Sequence, residues 1–374
     1  MTEQWELTTE PLVLHVIPTP LARGAQREAR ALADQLDAPG VRAHRVLSLF
    51  DGPSDVSPDF SLHFAGGEAP AVGYDPRLVH KLRSALRRFD PAVVVAHGSD
   101  PLKYAAPAML GTGKPLVYYA IGTYAAPKDR RIQLWLWRRL MGRADLVAAE
   151  GDEVKAECTD LLGVPADRVT MTPNGRDPDT FHPRPSNSEA DPPTVSFVGA
   201  LAPGKRPDRF VEVVARLRAQ GFKFNAQLIG DGPLHHSLID PARAAEVELL
   251  GSRPDVPDLL RQADLMVFPS LPAGEGMPGV LIEAGLSGLP VVATDVPGVR
   301  TIVQDGSSGL VVAVDDPQAM VAAVAGLLDD PDHRREMGRA ARERCVERFS
   351  LASVAAQWLR LLGPLLPQGG HQAL

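Results

Sequence analysis

Residues 275–283 read Glu275-Gly276-Met277-Pro278-Gly279-Val280-Leu281-Ile282-Glu283, directly after an apolar strand pattern at 264–269 and at the head of an apolar helix. A strand, a glycine-rich loop and a helix start, in that order, make an anion site. The first N–H groups of a helix have no backbone acceptor and carry the positive end of its dipole. Carboxylates are poor phosphate ligands but good acceptors for sugar hydroxyls. Glu275 and Glu283, eight positions apart, therefore read as hydroxyl acceptors beside a phosphate cradle. Together the two features point to a nucleotide-sugar.

Working outward, short apolar strands alternate with helical patterns along the whole chain. Strands are expected at 12–17, 41–49, 92–96, 116–119, 146–149 and 168–171, with helices such as 25–35 and 76–88 between them. The alternation breaks at 183–193, where Pro, Ser, Asn and acidic residues crowd together. A second series follows, with strands at 194–198, 224–229, 247–249, 265–268, 290–293 and 309–312. Alternation of this kind builds parallel sheets with helices on both faces. The fold class is α/β, with two Rossmann-like, doubly wound domains facing across a cleft. The expected boundaries are 1–183 for the first domain, 184–193 for a linker, 194–350 for the second domain and 351–374 for a final helix and tail.

Composition narrows the function classes. The 374 residues suffice for two full cores. The net charge is −7, from 39 Lys and Arg against 46 Asp and Glu, which argues against a nucleic-acid partner. Cys158 and Cys345 lack metal-ligand spacing, so a reduced compartment without structural disulfides is expected. The N-terminal stretch does not read as a signal peptide, and no run of apolar residues is long enough for a membrane span. The localisation this predicts is cytoplasmic, with peripheral contact at the inner membrane face as a further expectation.

Five signals taken together resemble glycosyltransferase family 4. They are the 275–294 run; Pro173-Asn174-Gly175-Arg176-Asp177 with Phe181 and Pro183; Val198-Gly199 followed by Lys205; Gly230-Asp231-Gly232-Pro233; and Gly251 followed by Asp264 and Pro269-Ser270. The match runs from about residue 12 to 350. It implies GT-B architecture, with the C-terminal helix returning to the first domain. It also implies retaining transfer from a nucleoside diphosphate sugar to a glycan, lipid-linked or small-molecule acceptor, with no metal and no separate cofactor.

The resemblance also implies residue roles. Lys205 neutralises the donor diphosphate as its charge grows in the transition state. Gly279, Val280 and Leu281 offer backbone N–H groups to the same phosphates, with Met277 beside them. Glu275 accepts from sugar hydroxyls, and Glu283 holds the ribose. Gly24, in the Arg23-Gly24-Ala25-Gln26 turn, faces the diphosphate from the first domain. Arg253, in the Gly251-Ser252-Arg253 loop, is a candidate base contact. Asn174 and Gly175 read as structural.

Two positions depart from the family pattern. An arginine common five residues before the phosphate lysine is Ala200 here, which removes a bidentate phosphate ligand. Arg206, Arg209 and Arg23 are the substitutes the sequence offers. A histidine common before the glycine at a first-domain strand end is replaced by Ile121, while His97 stands at another strand end and is the candidate third catalytic residue. A nucleotide-sugar epimerase can share this architecture and is one alternative reading; the departures at Ala200 and Ile121 suggest another, a non-catalytic nucleotide-sugar binder. Residues 128–143 combine basic residues with Trp and Leu. They read first as a crossover helix with its apolar residues on the sheet, and as a peripheral membrane contact in the alternative.

Overall fold

The apolar runs form two parallel sheets in the computed structural model, which describes residues 10–21, 24–38, 41–52, 56–64, 74–122, 131–185, 192–273 and 275–367. The first sheet contains β1 (Leu12–Ile17), β2 (Ala43–Phe50), β3 (Phe60–Phe64), β4 (Val93–His97), β5 (Leu116–Ala120), β6 (Leu146–Ala149) and β7 (Val169–Met171), in the order β3-β2-β1-β4-β5-β6-β7. The second contains β8 (Thr194–Val198), β9 (Asn225–Ile229), β10 (Glu248–Gly251), β11 (Leu265–Phe268), β12 (Val291–Thr294) and β13 (Gly309–Val312), in the order β10-β9-β8-β11-β12-β13. Every pairing in both sheets is parallel. Strand order reverses between β1 and β4 in one sheet and between β8 and β11 in the other. Beyond the strand ends at such a reversal, the outgoing loops diverge and leave a crevice.

Local chemistry explains the elements. β4 reads VVVAH and is buried throughout, as expected of a central parallel strand covered on both faces. The helix Pro76–Phe89 starts where the Asp75 side chain accepts from the Arg77 N–H, has proline in its first turn, and buries Leu78, Leu82 and Leu86 on one stripe. The strand the sequence reading omitted is β3, a five-residue edge strand paired only with β2.

The chain divides after Gly175 rather than at 183. Unit one runs through Gly175 and resumes at Val354, and unit two is Arg176–Ser353. Composition marked an irregular stretch, but contacts assign its start to unit two. Phe181 packs on a unit-two core cluster, Arg342 donates to the Phe181 carbonyl at 2.8 Å, and Arg184 donates to the Ala263 carbonyl at 2.7 Å. Residues 186–191 of the expected linker lie outside the described residues.

The helix Leu351–Leu362 belongs largely to unit one. Its Val354, Ala355, Trp358, Leu361 and Leu362 join Val13, Val93, Val95 and Tyr119 in one cluster. Cys158 and Cys345 are buried free thiols, both pushed up to about 12 by burial. Among the described residues, no helix is long and apolar enough to cross a membrane.

The helix Arg131–Met141 only half follows the crossover expectation. Leu134, Trp137 and Leu140 pack on the unit-one core, but Ile132, Trp135 and Leu136 are 79%, 60% and 50% exposed. Residues 128–130 lie outside the described residues.

Candidate active site

Unit two gathers most of the expected donor residues around its strand-order reversal. The loop after β8 carries Lys205, the last residue of a short 3-10 turn, Pro203–Lys205. The loop after β11 carries Glu275. Backbone contact joins these loops, since the Leu271 N–H donates to the Gly204 carbonyl at 2.7 Å. The Lys205 ammonium donates to Glu275 Oε1 at 2.5 Å and lies 5.6 Å from the centre of the Phe268 ring. Glu275 is only 4% exposed. A carboxylate that deep needs a cationic or hydrogen-bonded partner, and Lys205 supplies it.

The Glu275 loop is held from behind by residues 296–298. Gly298 has φ +77, and a Cβ there would lie 2.0 Å from the Gly276 carbonyl oxygen. Only glycine permits both that conformation and that approach.

The loop leads into the helix Gly279–Leu286, whose N-cap residue is Pro278. Leu281 corrects one expectation. Its N–H donates to the Pro278 carbonyl at 3.0 Å, so the first-turn groups left to face a ligand are those of Gly279 and Val280. Met277 is 6% exposed and packs in the core with Phe268 and Ile282, so its side chain supports the loop instead of lining the site.

Glu283, on the same helix, has a partner the sequence reading did not assign. Arg176 Nε donates to its Oε1 at 2.8 Å, with both side chains about one-fifth exposed. The guanidinium lies against Gly279, so closely that a Cβ at that position would be 2.1 Å from Nη2. The available signal is a basic side chain inside the Pro173–Asp177 signature, whose Asn174 and Gly175 read as structural.

The other expected residues have neighbours of their own. Arg206 has φ 51, and its Nε sits 3.0 Å from each oxygen of the Asp208 carboxylate. Arg253 forms a two-point pair with Asp255, at 2.7 and 2.5 Å. In unit one, Gly24 opens the helix Gly24–Leu36, and Arg23 lies outside the described residues.

His97, expected at a strand end with its ring available, is 3% exposed. Its Nε2 lies 2.9 Å from His15 Nδ1, and His15 Nε2 lies 3.0 Å from His44 Nδ1. The His97 ring stacks on Trp358 with centroids 6.3 Å apart. Burial pushes His97 down to about 3 and His44 down to about 4. His15 is held well below the ordinary histidine value by burial and then by its neighbours His97, His44 and Arg30. All three imidazoles are therefore neutral near pH 7.

Unit one also contains a buried polar group at its strand ends. The Tyr119 hydroxyl lies 3.1 Å from Glu28 Oε1 and 2.8 Å from the Asn174 side-chain amide. Glu150 accepts from the Gly122 N–H at 2.6 Å.

Two doubly wound parallel sheets, with a lysine–glutamate pair on the loops flanking one strand-order reversal, match the GT-B architecture. The structure of HepE from Anabaena in complex with UDP superposes with a TM-score of 0.79 at 20% identity, covering 95% of this chain and 100% of that one. The family description "Glycosyltransferase Family 4" matches residues 22–180, and "Glycosyl transferases group 1" matches 192–330. An alpha-maltose-1-phosphate synthase from Mycolicibacterium smegmatis is 30% identical over 306 residues, 72% of each chain. The chain belongs to glycosyltransferase family 4. A D-inositol 3-phosphate glycosyltransferase from Thermobispora bispora is 31% identical over 236 residues, 57% of this chain and 54% of that relative. The match thus spans about half the length of such relatives.

Proposed function

We propose that this chain is a retaining, metal-independent glycosyltransferase. It moves a sugar from a nucleoside diphosphate donor to a hydroxyl of a glycan, a lipid-linked sugar or a small molecule. The observation that carries this reading is the 2.5 Å Lys205–Glu275 pair on the loops that flank the unit-two strand-order reversal. The pair is poised to exchange partners. With donor bound, Lys205 turns to the diphosphate and Glu275 accepts from sugar hydroxyls, so each charge keeps a partner. The acceptor oxygen bonds to the anomeric carbon while the bond from that carbon to the diphosphate oxygen breaks. The acceptor proton passes to the departing phosphate. The protein's part is positioning and electrostatics, with Lys205 and the Gly279 and Val280 N–H groups stabilising the leaving charge.

UDP is the first nucleotide to test, because the HepE structure holds it. Thermal stabilisation by UDP, GDP, ADP, CDP and dTDP identifies the base. A ligand at 100 times its dissociation constant adds about 2.7 kcal/mol. Transfer from the matching sugar nucleotide should persist in EDTA and yield product of the donor's anomeric configuration. Loss of transfer in EDTA would overturn metal independence, and inverted product would overturn retention.

Peripheral contact with an anionic membrane belongs to the same proposal. Ile132, Trp135 and Leu136 protrude from a helix that also bears Arg131, Arg138 and Arg139. Beside them a groove of about 530 Å³ is lined by Leu110, Trp137 and Leu140 and rimmed by Lys103, Arg139 and Arg143. Exposed aromatic and aliphatic groups among arginines suit an anionic lipid surface. Trp135→Glu should abolish co-sedimentation with anionic vesicles. Unchanged binding by that variant, or no binding by the wild type, would discard the membrane contact.

A further inference from the structure

We propose that Arg176 is a donor-phosphate ligand, supplying at the start of the helix Gly279–Leu286 the guanidinium that Ala200 lacks. The inference rests on the nucleotide-sugar reading of this site and extends it to a residue outside the expected donor set.

Three observations converge on Arg176. Its guanidinium lies against Gly279, the first residue of the helix that would receive the diphosphate. Its Nε is hydrogen-bonded to Glu283, the carboxylate assigned to the ribose. Its backbone is fixed on both sides: the Arg176 N–H donates to the Phe349 carbonyl at 2.9 Å, and the Leu351 N–H donates to the Arg176 carbonyl at 2.8 Å. The base of a long side chain is thereby anchored, and its tip rests between the two groups expected to hold the ribose and phosphates.

Sequence complementarity supports the assignment. A Cβ at 279 would crowd the guanidinium, so a side chain there would push the arginine tip aside. A planar fork of donors matches phosphate oxygens in a way a lysine does not. While it binds the phosphates, Arg176 also keeps Glu283 oriented, which couples the phosphate and ribose ends of the donor. Arg206 and Arg253 are each engaged by a carboxylate two residues away, and neither is placed at Gly279.

Calorimetric titration with a nucleoside diphosphate, the matching nucleoside monophosphate and the free nucleoside tests the proposal. Arg176→Ala should weaken the diphosphate by about 10- to 100-fold, the usual loss of a charged hydrogen bond, and leave the free nucleoside nearly unchanged. Arg176→Lys should recover only part of the loss. Gly279→Ala keeps the arginine but evicts it from its seat, so it should reproduce most of the defect, and the Arg176→Ala/Gly279→Ala double variant should add little more. Thermal melts of each variant confirm that the chain still folds. If wild type binds a diphosphate and Arg176→Ala binds it equally well or more tightly, Arg176 is not a phosphate ligand. If wild type binds none of the five diphosphates, the donor-site reading fails and this assignment fails with it.

Discussion

The two units share one architecture but place their polar groups in opposite ways. In unit two, Lys205, Glu275, Arg176 and Glu283 sit on loops and a helix beyond the strand ends, each charge with a partner. In unit one, His15 and His44 lie within central strands and His97 closes one, all buried in a single hydrogen-bonded row. The first arrangement can exchange partners with a ligand without disturbing a core. The second cannot change charge without doing so. The same sheet topology thus carries exchangeable charges in one unit and a pH-sensitive interior in the other.

The largest effect expected from breaking this comparison lies in the unit-one core. Trp358 is fully buried against the histidine row, so Trp358→Ala should cost about 3–5 kcal/mol, read by denaturant unfolding. A loss under about 1 kcal/mol would mean that the C-terminal helix does not complete unit one.

Next comes the exchangeable pair. Lys205→Ala should lower kcat by about 100- to 1,000-fold, the usual penalty for losing a preorganised charge-stabilising group. It also leaves Glu275 buried without its cation, which should cost about 1–3 kcal/mol of stability. Normal turnover in this variant would remove Lys205 from the chemistry.

The smallest effect per step is the pH response. The three histidines are neutral when folded, so the unfolded chain binds more protons below its own value of about 6.5. Their contribution to stability is present above about pH 6.5. It is lost as pH falls toward about 4 for His44 and about 3 for His97, at up to about 1.4 kcal/mol per pH unit for each histidine. Among the described residues unit two buries no histidine. Between pH 6.5 and 4.5 calorimetry should therefore show unit-one melting move down before unit-two melting does, and His44→Asn should flatten that slope. A uniform downward shift would contradict the assignment.

Strands were the most legible part of the sequence, because their signal is local. β1, β6, β8, β11 and β13 begin and end where the apolar runs do. β3 was missed because a five-residue edge strand has only one neighbour and little buried pattern to show. Lys205 and Glu275 could be singled out by motif, and they meet across a separation of 70 positions. Arg176 and Glu283, separated by 107, were not paired, because nothing local to Pro173–Asp177 says which side chain will lie over Gly279. His97 shows the opposite failure. Its place at a strand end was readable, but the burial of its ring depends on Trp358, which arrives from the far end of the chain.

That late arrival bears on how the protein is made. Unit one is a discontinuous domain, and the core cluster that holds Val13, Val93 and Tyr119 stays open until Trp358 has been synthesised, after all of unit two. Unit two is an insertion whose ends are drawn together by the parallel bridge between Arg176 and Ser350. Once it has folded, the returning helix has only a short tether left to close, so most of the loop entropy has already been removed. On the ribosome, the later-encoded half is then the first able to reach its finished state.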